Sequence, residues 1–98
     1  MKLIVDSGST KTDWCIIHDT QATTFKTSGL NPYFVDSHTI SKIITEHFPQ
    51  QFSPSDISNI FFYGAGCKAE EPQKIIFDGL RTVFPNPEIE IENLKFEN

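Results

Sequence analysis

The opening fourteen residues, Met1-Lys-Leu-Ile-Val-Asp6-Ser-Gly8-Ser-Thr10-Lys-Thr12-Asp13-Trp14, constrain the fold more than any other stretch of the chain. An apolar run, Leu3-Ile4-Val5, ends in a carboxylate. A hydroxyl-rich segment around Gly8 follows, and a second apolar run, Trp14-Cys15-Ile16-Ile17, begins at once. This order reads as a strand, a tight turn and a returning strand. The turn carries backbone N–H groups and hydroxyls, the groups that bind phosphate oxygens. Asp6 stands beside it as an acid suited to a hard cation.

The rest of the chain extends that start. The first strand spans Lys2–Val5, and its apolar run fits a strand covered on both faces. Asp13–His18 and Ala22–Thr27 are the second and third strands, joined by the polar connection Asp19-Thr20-Gln21. Ser28-Gly29-Leu30-Asn31-Pro32 breaks the pattern. A helix then starts at Asp36 or Ser37, whose side chains suit a helix N-terminus, and carries Ile40, Ile43, Ile44 and Phe48 on one face until Pro49. Within residues 57–63, Ile60-Phe61-Phe62-Tyr63 reads as a fourth strand, closed by Gly64-Ala65-Gly66. A second helix begins near Glu70–Pro72, with Ile76, Leu80, Val83 and Phe84 as its apolar stripe, and stops at Pro85. Glu88-Ile-Glu-Ile-Glu92 alternates strictly and reads as a fifth strand with one wet face. The element order is β-β-β-α-β-α-β, an α/β fold. Right-handed crossovers place the fourth strand beside the first and the fifth beyond it, so the expected sheet order is 3-2-1-4-5, with antiparallel pairing confined to the first three strands.

Composition narrows the function. With 98 residues this is at most one domain, and a net charge of −5 with scattered Lys and Arg argues against nucleic acid and anionic membranes as partners. No apolar stretch is long enough to cross a bilayer as a helix, and the N-terminus lacks the order of a signal peptide. Two cysteines, Cys15 and Cys67, do not form a disulfide framework and fit free thiols in a reducing cytoplasm. His18, His38 and His47 have no partners at metal-ligand spacing and read as structural or surface residues, and Trp14 reads as core.

The expected topology also marks a site. Ligands of such sheets bind beyond the carboxyl ends of parallel strands. That edge collects Asp6, the turn of Gly8, Ser9, Thr10, Lys11 and Thr12, and the glycine turn Gly64-Ala65-Gly66. Turn amides, hydroxyls and the Lys11 ammonium suit phosphate. Asp6 suits Mg²⁺ held through water.

These residues resemble a known group. Asp6-Ser-Gly8-Ser-Thr10-Lys-Thr12-Asp13-Trp14, Gly29-Leu-Asn31-Pro32-Tyr33 and Tyr63-Gly64-Ala65-Gly66-Cys67 are similar, in this order, to motifs of the N-acetylglucosamine kinase-like group. That group lies within the acetate and sugar kinase, heat-shock-70 and actin superfamily and also holds dehydratase-activator ATPases. The resemblance implies a ribonuclease-H-like sheet in a two-lobed protein that binds ATP and Mg²⁺ between its lobes. Residues 1–98 would then be most of the N-terminal lobe, with the C-terminal lobe absent. It further implies Asp6 as the metal-linked acid, Gly8, Ser9, Thr10, Lys11 and Thr12 as the phosphate turn, and Asn31 with Gly64, Ala65 and Gly66 near an amino-sugar acceptor. Two alternatives stand beside the kinase: an ATPase that drives a partner enzyme, and a non-catalytic interaction domain. The kinases carry an Asp after the fifth strand. Here Glu92-Asn93 is followed by Leu94, so no catalytic base is assigned, and the tail Leu94-Lys95-Phe96-Glu97-Asn98 does not resemble the helix that follows in the group. A lone lobe is expected to be inactive and to expose a surface suited to self-association as a homo-oligomer.

Overall fold

The computed structural model describes residues 1–94. The expectation about the tail 95–98 lies outside the described residues. Five strands, β1 (Lys2–Ser7), β2 (Lys11–His18), β3 (Gln21–Ser28), β4 (Asn59–Gly64) and β5 (Glu88–Asn93), form one sheet in the order β3-β2-β1-β4-β5. β1–β2 and β2–β3 pair antiparallel, and β1–β4 and β4–β5 pair parallel. The order and the sense of every pair agree with the expectation from the sequence. Two α-helices, α1 (Ser37–His47) and α2 (Glu70–Val83), and a short 3-10 turn at Pro54–Asp56 complete the described fold.

Local chemistry sets the ends of these elements. Asp36 caps α1 by accepting the Thr39 N–H at 2.8 Å, which satisfies an orphan donor of the first turn. Phe48 ends the helix in extended backbone, just before Pro49. α2 starts at Glu70 with no side-chain cap, and Glu70 and Glu71 lie against the positive end of its dipole. Strands β1 and β2 run further than their apolar residues indicated, because the ladder continues through Asp6↔Asp13 and Ser7↔Thr12. The turn between them is therefore short.

Alternation divides the sheet into two unlike faces. Leu3, Val5, Trp14, Ile16, Ile60 and Phe62 point to one face and are buried with Ile40 and Ile44 of α1 and Ile76 and Leu80 of α2. Each such side chain removed from water stabilises the fold by about 1.5–3 kcal/mol. Trp14 stacks on Phe25 with ring centroids 5.4 Å apart and donates its indole N–H to Thr27 Oγ1 at 2.9 Å. The helices meet closely at Gly79, where a methyl group would stand 2.6 Å from Ile40 Cγ2.

The second face corrects one expectation. The first strand is covered on one side, not both: Lys2 and Asp6 are exposed and Ile4 is half-buried. The crossover through α1 runs from β3 to β4 and that through α2 from β4 to β5, both in the same direction across the sheet, and two right-handed crossovers in one direction lay both helices on the same face. Ile4, Cys15 and Phe61 are thereby left half-buried on the open side. Among the described residues, no helix is long and apolar enough to cross a membrane.

Candidate functional site

The site is built at the carboxyl edge of β1 and β4, where three loops meet. Only Gly8, Ser9 and Thr10 lie outside the strands in the β1–β2 connection. Gly8 closes it by donating its N–H to the Lys11 carbonyl at 2.9 Å. Ser9 and Thr10 are exposed, and their amides make no hydrogen bond to a protein group among the described residues.

The segment after β3 packs against the opposite side of this turn. Gly29 donates its N–H to the Thr10 carbonyl at 3.1 Å. The carbonyl oxygens of Gly8 and Ser9 lie so near Gly29 that a methyl group there would meet them at 2.6 and 2.5 Å. A trans peptide holds its N–H opposite its C=O. The carbonyl side of the turn thus faces the protein, and the amides of Ser9 and Thr10 face away from it.

Beneath the turn runs a closed chain of buried hydrogen bonds. Leu30 N–H donates to Ser7 Oγ at 3.0 Å, Ser7 and Thr12 share a hydrogen bond of 2.9 Å, and Thr12 Oγ1 donates to the Ser28 carbonyl at 2.9 Å. Since Thr12 gives its proton to Ser28, Ser7 is the donor to Thr12. Thr12, expected in the phosphate turn, is fully buried and its hydroxyl is engaged inside the protein. The Gly8 amide, too, is engaged within the hairpin. Lys11 is exposed at the first position of β2.

Asn31 lies against the second glycine turn. Gly66 has φ +79°, and a methyl group on it would stand 2.7 Å from Asn31 Oδ1 and 3.1 Å from the Tyr33 ring. Asn31 Oδ1 accepts the Tyr33 N–H at 3.0 Å, and the Asn31 carbonyl accepts from Phe34 and Val35. These bonds fix a tight turn that leaves Tyr33 and Phe34 exposed. Gly64 and Ala65 are buried, and Ala65 N–H donates to the Ser7 carbonyl at 2.8 Å, tying the second turn to the end of β1.

Asp6 lies on the other face of the sheet from Ser7, as neighbours in a strand must. It is exposed, flanked in register by Asp13 and Tyr63. Asp13 pairs with Lys26, and that hydrogen bond holds its carboxyl below the usual range. An open groove of about 610 Å³ runs from Asp6 along Ile4, Phe61 and Tyr63 to Glu90 and Glu92 of β5. Among the described residues, no group of three or more His, Cys, Asp or Glu side chains is arranged to hold a metal ion. A single exposed carboxylate is a donor that suits a hydrated Mg²⁺, because this ion keeps several waters.

Two contributors escape a reading of the sequence. Asn93, at the end of β5, accepts the Cys67 N–H on Oδ1 at 3.1 Å and so braces the second turn. Gly29 reads in the sequence as part of a breaker and of a motif, and its contact with the first turn is visible only once β2 and β3 are paired.

The chain is similar in sequence and structure to the crystal structure of the "Putative N-acetylglucosamine Kinase" from Porphyromonas gingivalis, with 35% identity and a TM-score of 0.78. The match covers 95% of this chain and 34% of that protein, so the chain spans about a third of its relative's length. No protein-family model and no curated protein matches the chain.

Proposed function

We propose that this chain is the nucleotide-phosphate-binding part of an ATP-dependent amino-sugar kinase, forming most of its N-terminal lobe. The observation that carries the proposal is the β1–β2 turn: two adjacent exposed amides, Ser9 and Thr10, without acceptors among the described residues, at the carboxyl edge of a parallel pair. Successive N–H groups in a turn are an anion cradle. The likeness to a protein named as an N-acetylglucosamine kinase supports an amino sugar as the acceptor.

In this reading Ser9 and Thr10 hold phosphate oxygens through their amides and hydroxyls, and Lys11 adds positive charge. Asp6 holds a hydrated Mg²⁺, which offsets negative charge on the transferring phosphoryl group. Asn31, braced against Gly66, faces the acceptor. The Ser7–Thr12 pair does not touch a ligand; it fixes the floor on which the turn rests. Most of the rate acceleration would come from positioning and electrostatics, so a lone lobe would be inactive.

The test uses the complete polypeptide that carries this chain. It is incubated with Mg-ATP, with and without N-acetylglucosamine, and ADP is followed. ADP formation that depends on the sugar, and is lost in Asp6→Ala with the fold retained, is the expected result. Equal ADP formation without sugar would replace the kinase by an ATPase, and no nucleotide binding would remove catalysis from the account.

A further inference from the structure

We propose that Gly29, outside the turn in sequence, is the positioning residue that aims the Ser9 and Thr10 amides. This inference rests on the reading of the turn as an anion cradle. Gly8 is the glycine that the sequence marks for that turn. Its backbone φ is not in the left-handed region, and a methyl group on it would meet only the Lys11 carbonyl at 3.5 Å, an ordinary contact. The turn itself therefore does not require glycine at position 8.

Gly29 differs. A methyl group there would stand 2.5 Å from Ser9 O, 2.6 Å from Ser9 C and 2.6 Å from Gly8 O, all backbone atoms that cannot swing aside. Those two oxygens belong to the same two rigid peptide planes as the exposed amides: Gly8 C=O shares a plane with Ser9 N–H, and Ser9 C=O with Thr10 N–H. Anything that displaces the oxygens rotates the amides.

The Gly29 segment cannot yield in their place. The Ser28 carbonyl is held by Thr12 Oγ1, Leu30 N–H is held by Ser7 Oγ, and the Leu30 side chain is fully buried. The strain of any side chain at position 29 passes to the turn. The segment that carries Asn31 thereby also sets the phosphate side of the site.

The experiment titrates inorganic tripolyphosphate into the isotope-labelled chain and follows backbone amide resonances in wild type and Gly29→Ala. In wild type the Ser9 and Thr10 amides should shift saturably. In Gly29→Ala, amides of β4, β5 and α2 should keep their positions, which shows that the fold is retained. The Ser9 and Thr10 amides should move before any ligand is added, and tripolyphosphate should bind about tenfold more weakly or worse, as expected for losing a charge-assisted hydrogen bond. Equal affinity in the two proteins would overturn the positioning role while leaving the cradle intact. A wild type whose Ser9 and Thr10 amides ignore tripolyphosphate would remove the cradle itself, and the role of Gly29 with it. Should Gly29→Ala fail to fold, hydrogen exchange of the wild type decides: a Gly29 amide protected like those of β2 supports the clamp, and one that exchanges like a free loop overturns it.

Discussion

Ser7 donates its hydroxyl proton to Thr12 across the β1–β2 pair, 2.9 Å away and out of contact with water, directly beneath the exposed turn. Both residues look like phosphate-binding hydroxyls in the sequence. In the fold they are the middle of a relay from Leu30 N–H to the Ser28 carbonyl. Ser7→Ala leaves a buried N–H without its acceptor, so it should destabilise the chain by about 1–3 kcal/mol. Urea denaturation measures this. The double variant with Thr12→Val should cost less than the sum of the two single changes, because both break one relay.

Gly79 makes a second prediction with an unusual sign. Alanine in a helix interior is normally better than glycine by about 1 kcal/mol. Here a methyl group would meet Ile40 at Cγ2 and Cβ, 2.6 and 2.8 Å away, and the Ser37 carbonyl at 3.2 Å. Gly79→Ala should therefore destabilise by about 1–3 kcal/mol, as overpacking does. Combination with Ile40→Val should recover little of the loss, since valine keeps both Cβ and Cγ2 and the Ser37 carbonyl remains.

Gly66→Ala should act on the candidate acceptor side. The left-handed backbone alone costs an alanine about 1–2 kcal/mol. The methyl group would also press on Asn31 Oδ1. In the complete polypeptide the expected kinetic result is a raised KM for the sugar with a smaller change in KM for ATP. An equal change in both would detach Asn31 from the acceptor.

Asp36 gives a pH dependence with a definite sign. The Thr39 backbone N–H holds its carboxyl below the usual range, so the folded state binds this proton less readily than the unfolded state. The stabilisation is present above the ordinary Asp value and is lost as pH falls through the lowered folded value. Melting curves of wild type and Asp36→Asn should differ by a constant amount at neutral pH. The difference should change in that acidic window alone. Asp13, lowered in the same direction by Lys26, is common to both proteins and drops out of the comparison.

Much of this architecture is written in local pattern. The strict alternation of Glu88–Glu92 and the stripe Ile76, Leu80 and Val83 name their elements before any coordinates exist. The order and sense of the strands then follow from chirality. What local pattern misses is where the strands stop pairing. Asp6 and Thr12 look like site residues beyond the strands but belong to the β1–β2 ladder, and Lys11 pairs with Ser28 of β3, because polar side chains at a strand end do not announce the last rung. The open sheet face is hidden for a similar reason: Ile4 and Phe61 are apolar whether or not something covers them. The part played by Gly29 depends on a contact between residues far apart in the chain, which no local signal carries.

The most direct test of the central claim, that the β1–β2 turn receives the phosphates of a nucleotide with Asp6 close to its metal, replaces Mg²⁺ by paramagnetic Mn²⁺. Mn-ATP is added to the labelled chain and the broadening of each amide is measured. The account predicts broadening centred on residues 6–10 and fading along β1 towards Lys2. Broadening centred on the acidic row of β5, with the amides of Ser9 and Thr10 left sharp, would contradict it.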